Sequence, residues 1–282
     1  MAIKVYILKK SIMKSSVDEY LEMKAEIKEK KRLEKQTNPE KTLEEKQKKD
    51  LRAVFVSTSD TALQALEIAG ISYEGDIDLD DIEFCKVESQ QKCICGNLHI
   101  PKLSDVLGEK IRMYFFANRR NIVIIDDEEF AEKLIKRIIA SRTKPGQSRE
   151  RFLYSFCIKF MDTDLDNLGR YEKKIMQIEE QITLDDLDDV TTKIAHLRKE
   201  LLILREYYDE LHDFGKQLEE NENNFFSGKN LAYFGTISDR ADRLMGRTMY
   251  LLDYIGQVRD TYQGKVAEHQ NANMEFLTMI ST

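Results

Sequence analysis

The residues of this chain whose types and spacing could do chemistry are mainly carboxylates. Asp239, Asp253 and Asp260 are separated by fourteen and seven residues, which puts them on one face of any helix that contains them. In a symmetric oligomer each would form a ring of carboxylates. Such rings repel unless they are solvated, protonated or bridged by a divalent cation, so the stripe reads either as a cation-binding wall or as an exposed coiled-coil flank. Three local clusters offer oxygen ligands as well: Asp126-Asp127-Glu128-Glu129, Asp162-Thr163-Asp164-Leu165-Asp166 and Asp185 to Asp189. Asp162 joins the stalk aspartates as a candidate metal ligand, although each cluster reads equally as a helix start or a solvated face.

Sulfur and imidazole chemistry is less well supported. Cys93 and Cys95 lie two apart on a predicted strand and face the same way, and Cys85 falls on a neighbouring strand. Three thiolates would suit a soft metal, but no Cys-x-x-Cys pair is present and His99, His196, His212 and His269 are scattered, so buried small hydrophobes are the better reading. There is no Gly-x-Ser-x-Gly, no phosphate-cradling glycine loop and no His-Glu-x-x-His, which argues against an enzyme.

The element that must carry the aspartate stripe is the stretch from Asn230 to Thr282, which contains no proline. Ile237, Leu244, Leu251 and Val258 recur every seventh residue, and Ala241, Thr248, Ile255 and Tyr262 each follow by four, which predicts one helix with an apolar seam. At 1.5 Å per residue this stalk is roughly 75 Å long, so its seam must meet copies of itself or neighbouring helices. Toward the end, charge disappears after Glu275 while Met274, Phe276, Leu277, Met279 and Ile280 raise the hydrophobicity. The expectation is a chain that stops just short of a longer apolar segment.

A length of 282 residues, 34% of them charged and 41% hydrophobic, fits two helix-rich domains. The net charge of -7 argues against nucleic acid as a partner, because phosphate backbones call for a basic face. Four cysteines and an N-terminus without an apolar leader point to a reducing, cytoplasmic setting, and no run of 18 or more apolar residues is present.

In chain order, Lys4 to Leu8 predicts a strand and Ser15 or Ser16 a helix cap, followed by a charged helical excursion over about 17–50 that Pro39 divides. Its lysines and glutamates read as a solvated surface. Arg52 to Ser57 predicts a strand, and Asp60 a cap for a helix ending at Gly70. Further strands follow at Ile82 to Val87, Cys93 to Ile100, Met113 to Phe116 and Ile122 to Ile125, the last two joined by a turn over Asn118 to Asn121. A helix over Glu128 to Ser141 closes the set, and Lys144-Pro145-Gly146 marks a boundary. Beyond it, helices are predicted from Arg149 to about Ile182, with Phe152, Phe156, Leu165, Leu168, Ile175 and Ile178 on one face, and from the Asp185 to Asp189 cluster through Leu211. The fold class is therefore α+β: a mixed α/β domain over 1–146, two long antiparallel helices over 147–229 and the stalk over 230–282.

Several strings resemble the cytoplasmic portion of CorA-type magnesium transporters: Arg151-Phe152-Leu153-Tyr154-Ser155 with Asp162 after it, Leu197-Arg198-Lys199-Glu200, Leu204-Arg205-Glu206 and, closest, Asn271-Ala272-Asn273-Met274-Glu275-Phe276-Leu277-Thr278. The resemblance implies a funnel-shaped homopentamer whose stalk helices line the axis and carry hydrated Mg2+, with no organic cofactor. It implies a body on the cytoplasmic face of the cell membrane, attached through two spans that would follow this sequence. Asn271, Met274 and Leu277 match the family's pore-lining positions, and Asp260 matches an acidic ring lower in the funnel. The family's Gly-Met-Asn selectivity motif is absent. Its stalk aspartate for regulatory magnesium aligns with Thr236, and Asp239, one turn on, is placed to substitute. A zinc or other divalent-cation transporter of the same superfamily, and a soluble coiled-coil scaffold that moves no ions, are the alternatives.

Overall fold

The structure, a computed structural model, describes residues 2–9, 11–37, 51–141 and 148–281. The helical segment expected beyond Pro39 and the Lys144-Pro145-Gly146 boundary lie outside the described residues. The chain folds as two compact units: Met1–Ile100, Lys110–Met161 and Glu210–Asp239 form the first, and Pro101–Glu109, Asp162–Asp209 and Arg240–Thr282 the second.

A seven-stranded mixed sheet organises the first unit. Its strands are β1 (Lys4–Leu8), β2 (Ile12–Ser15), β3 (Ala53–Ser57), β4 (Lys86–Ser89), β5 (Ile94–Lys102), β6 (Asp105–Ala117) and β7 (Ile122–Ile125), in the order β2-β1-β3-β7-β6-β5-β4. The central pair β3 and β7 runs parallel, with Phe55 opposite Val123, and both strands are buried along their whole length. That is why Ala53-Val54-Phe55-Val56 and Ile122-Val123-Ile124-Ile125 are unbroken apolar runs: a strand covered on both faces has no reason to alternate.

One face of the sheet packs against α1 (Val17–Thr37) and α2 (Ala62–Ala69), in a core that joins Val5, Tyr20, Phe55, Leu66, Phe116 and Val123. The start of α1 is a reciprocal cap, the Glu19 N–H donating to Ser16 Oγ and the Ser16 N–H to Glu19 Oε2, each at 3.1 Å. Helix α2 ends at Gly70 with φ 68°, a left-handed conformation that favours glycine, but it starts after a short 3-10 turn over Ser59–Thr61 and Asp60 does not cap it. In the same unit, α3 (Phe130–Ala140) packs against α4 (Arg149–Phe160), which Ser148 caps by accepting from the Arg151 N–H at 3.2 Å.

Two further expectations need correction. The strand placed at Ile82 to Val87 begins only at Lys86, where the ladder to β5 stops because the His99 N–H donates to the Cys85 side-chain sulfur (3.2 Å), and on the outer edge the Cys85 and Val87 N–H groups donate to the side chains of Glu210 (2.8 Å) and Gln217 (3.0 Å) on helix α6 (Val190–Glu220). The edge of the sheet is thus covered by a helix. The single helix expected from Arg149 to Ile182 breaks at 161–163, and α5 (Asp164–Thr183) restarts with a different face inward: Leu165, expected in the apolar stripe, is 59% exposed, and Asp164 is 2% exposed.

In the second unit α5 and α6 are antiparallel. Lys193 bonds to Gln181 beside their connecting turn, and Tyr208 bonds to Asp164 at the far end. Helix α7 (Ala232–Ile280) runs parallel to α5, since Arg247 meets Glu172 and Tyr254 meets Glu179, both pairs being 75 residues apart. The predicted seam of α7 is buried from Ile237 through Ala241, Leu244, Thr248, Leu251 and Ile255 to Val258, while Tyr262, its expected last member, is only half-buried. Neighbours in the same chain fill it. From Gln263 to Ser281 the helix is almost wholly exposed.

Candidate functional site

The three acidic clusters are largely committed to local structure. Asp126 accepts from the Glu128 N–H (2.9 Å) and the Ala131 N–H (2.6 Å), so it caps the start of α3, and Asp127 accepts from both the N–H and hydroxyl of Ser59. Asp185 and Asp189 sit in the left-handed region at φ 64° and 59° and form the turn between α5 and α6. Asp162 is exposed at the α4 to α5 break, next to the buried Asp164. Among the described residues no group of three or more His, Cys, Asp or Glu side chains is arranged to hold a metal ion.

The stalk aspartates differ, being solvent-facing side chains on a helix whose opposite stripe is used up. Asp239, Asp253 and Asp260 are all exposed. Asp253 and Asp260, two turns apart, are about 10 Å apart along the axis, too far to share one cation within a chain. Asp260 accepts two bonds from the adjacent Arg259 guanidinium, at 3.1 and 2.8 Å. Thr236 is exposed, and its hydroxyl donates to the Ala232 carbonyl of its own helix at 3.0 Å, leaving no anionic oxygen at that position.

Farther along α7, Asn271, Met274 and Leu277 are exposed, with Met274 at 63% and Leu277 at 64%. Phe276, Met279 and Ile280 are bare too. At 100° per residue these five apolar side chains spread over about 220° of the circumference and leave a polar strip of Asn271, Glu275 and Thr278. A helix this broadly apolar is suited to apolar surroundings or close packing with copies of itself. No helix among the described residues is long and apolar enough to cross a membrane.

The cysteines offer little to a metal. Cys93 and Cys95 lie in the sheet core, Cys157 is buried in α4, and Cys85 Sγ accepts from the His99 N–H at 3.2 Å. Burial pushes all four thiols up, Cys95 to about 12, which disfavours thiolate.

Residues 54–282 match the family described as CorA-like Mg2+ transporter protein. The chain belongs to this family. No curated protein matches it in sequence. Among solved structures, the complete CorA magnesium transporter from Methanocaldococcus jannaschii superposes with a TM-score of 0.70 at 13% identity, over 100% of this chain and 82% of that one. The cytoplasmic domain of ZntB from Vibrio parahaemolyticus gives 0.62 at 9% identity, over 95% of this chain and 100% of that domain. Full-length CmaX gives 0.59 at 13% identity, covering 100% of this chain and 82% of its own. At such identities the likeness establishes the fold. The CorA-like mixed α/β domain followed by long helices is the architecture expected from the sequence.

Two buried arrangements of this CorA-like body were not anticipated from the sequence, although Asp164 lies in a cluster read there as a possible set of oxygen ligands. Arg149 and Glu150 open α4 and fix the turn that leads into α7: Arg149 Nη2 donates to the Phe225 carbonyl at 3.0 Å, and Glu150 accepts from the Ser227 N–H at 3.0 Å and from Asn230 Nδ2 at 3.3 Å. Burial alone would raise the Glu150 carboxyl, but these bonds and the Arg149 charge hold it below its ordinary value. The second is Asp164, which accepts from the Tyr208 hydroxyl at 3.0 Å and is pushed up to about 6 by burial, against that bond and the Arg240 charge. Local sequence does not show the burial of either group, since the partners lie on distant segments.

Proposed function

We propose that this chain is the cytosolic, ion-path-lining body of a divalent-cation transporter that takes Mg2+ as substrate and assembles as a homopentamer along α7. The observation that carries the reading is the division of α7, buried in its own chain along one stripe up to Val258 and bare beyond it. A helix of 49 residues with an exposed carboxylate stripe and an exposed apolar end has surface left for copies of itself.

On this reading Asp253 and Asp260 form successive carboxylate rings, Asn271 offers amide oxygens to the ion's water shell, and Met274 and Leu277 form a constriction that closes by dewetting. Asp239 takes the regulatory role that Thr236 lacks the charge to fill. Magnesium between subunits neutralises the rings and favours the closed assembly, and its loss lets them repel. Magnesium rather than zinc is favoured because α7 exposes hard oxygen donors, whereas the cysteines are buried and His269 bonds to Asp185 at 2.8 Å.

Light scattering after size exclusion tests this, in about 20 mM magnesium, enough to saturate weak oxygen sites, and again in chelator. The expected result is a five-chain species that tightens with magnesium and loosens in Asp253→Ala and Asp260→Ala. A single-chain species indifferent to the ion would refute the carboxylate rings. Unchanged stability and assembly in Asp239→Ala, with and without magnesium, would remove that residue from the sensor. A stronger response to zinc than to magnesium would move the reading to a zinc transporter.

A further inference from the structure

The chain carries a net charge of -7, yet one region of the first unit concentrates the opposite sign. The β6 to β7 hairpin tip presents Arg119 and Arg120 side by side. Asn118 Oδ1 accepts from the N–H groups of Arg120 and Asn121, each at 2.8 Å, and Asn121 in turn donates to Tyr20 Oη (3.0 Å) and the Ala69 carbonyl (2.8 Å). The two arginines therefore project from a pinned turn.

Two adjoining hollows share this tip. One, of about 630 Å3, is lined by Arg52, Arg119, Arg120 and Arg149 together with Asn224 and Asn230. The other, of about 450 Å3, is lined by Arg119 and Arg120 again, with Lys92 and Asn223. Arg120 reaches a third hollow too, where Lys24, Lys28 and Lys31 of α1 join it. Among the described residues lining these three hollows the only carboxylate is Glu150. Glu150 is already bonded to Ser227 and Asn230.

Bringing these cations together costs energy. Burial lowers the Arg149 guanidinium to about 10, with the Arg52 and Arg119 charges adding to the effect. Lys24 is lowered in the same way, by burial and by Arg120. A fold that holds like charges around a concave surface gains when an anion neutralises several of them at once. The size of the hollows falls within the range of small-molecule sites. Their chemistry is guanidinium-rich, and planar guanidinium forks match phosphate oxygens in bidentate pairs.

We propose that this basic hollow binds a di- or triphosphate group, carried either by a nucleotide or by an inorganic polyphosphate, with Arg119 and Arg120 at its centre and Arg52, Arg149 and Lys92 around them. A single phosphate would engage only part of a charge set spread over two hollows. A linear polyphosphate offers several phosphate groups to the same set. The site lies wholly within the first unit and uses no residue of the exposed α7 face. Magnesium complexed to the phosphates removes part of their charge, so free polyphosphate is the preferred form.

Titration calorimetry on the whole chain at about 50 mM salt tests the assignment, with sodium tripolyphosphate, ATP and citrate as separate titrants. The expected result is binding of at least one of the two polyphosphates, weakening at high salt and with excess magnesium. ATP binding more tightly than tripolyphosphate identifies a nucleotide site, and the reverse order an inorganic one. Arg119→Glu, at an exposed position, is expected to weaken binding about tenfold or more with the melting temperature unchanged. Lys92→Glu, which lines only the second hollow, gives a smaller loss and serves if Arg119→Glu does not fold. No heat from either polyphosphate at millimolar concentration, binding of citrate as tight as that of polyphosphate, or wild-type affinity in the charge-reversed variants would each overturn the proposal.

Discussion

Replacing Asp164 with asparagine isolates the cost of keeping a carboxylate beneath Tyr208. In the folded chain the Asp164 carboxyl titrates at about 6, against an ordinary value of 3.8, chiefly because burial penalises the charged form. A raised carboxyl contributes its full stability below the ordinary value and loses it as pH rises through the folded value. Across these limits stability falls by roughly 3 kcal/mol, at 1.36 kcal/mol for each pH unit of displacement. The loss therefore develops between about pH 4 and pH 7 and then levels off. The amide introduced by Asp164→Asn would keep an acceptor for the Tyr208 hydroxyl and carry no charge at any pH. The wild-type minus variant difference should therefore shift by about 2 kcal/mol in the variant's favour between pH 4 and pH 8. Urea unfolding followed by circular dichroism across that range measures it. The slope is the decisive quantity, because an amide proton without a partner adds a cost independent of pH. A difference constant to within about 0.5 kcal/mol would show that Asp164 is not held at a raised value, and the reasoning from burial would fall.

Along α7, Leu251→Ala should cost about 2–5 kcal/mol by opening a cavity in the buried stripe, whereas Met274→Ala, 63% exposed, should stay within about 0.5 kcal/mol in thermal or urea unfolding. Equal effects would place the seam elsewhere. Gly215→Ala should lower the melting temperature by several degrees, because its Cβ would come within 2.4 Å of Ser238 Oγ and 2.9 Å of the Ser238 backbone nitrogen where α6 meets α7. Glu150→Ala should destabilise by about 3 kcal/mol or more, since it leaves the buried Arg149 guanidinium without its nearest carboxylate and two loop donors without an acceptor. Glu150→Gln, which retains an acceptor, should recover part of that loss, and identical unfolding curves for the two variants would refute this account.

What was legible in the sequence is what repeats at short range. The α7 seam, the apolar runs of β3 and β7, the turn at Asn118 to Asn121, the Gly70 terminus and the Ser16 cap all follow from periods of two or 3.6 residues or from local cap chemistry. The misplaced features depend on distant partners. The start of β4 is decided by the Cys85 sulfur meeting the His99 backbone, its outer edge is covered by Glu210 and Gln217 on a helix more than a hundred residues later, and the break before Asp164 turns out Leu165 although the pattern of apolar residues runs on. The same division holds for the functional surfaces. Heptad spacing made the carboxylate stripe of α7 visible, while the arginines gathered around the hairpin tip come from β3, β6, α4 and their connections, and no single window of sequence contains them.

The matched pairs Arg247–Glu172 and Tyr254–Glu179 bear on mechanics. Each pair is one heptad from the next on both helices, so α5 and α7 are pinned at two points with equal spacing. Partly exposed bonds of this kind are individually weak, yet sliding α7 by a single turn, about 5.4 Å, would unseat both at once and carry the buried stripe out of register. The pair thus resists piston motion while tolerating bending and rolling about the shared axis. Any movement that passes through this strut travels as tilt or twist, and the bare helix beyond Val258 lengthens the lever on which a small angle at the pins acts.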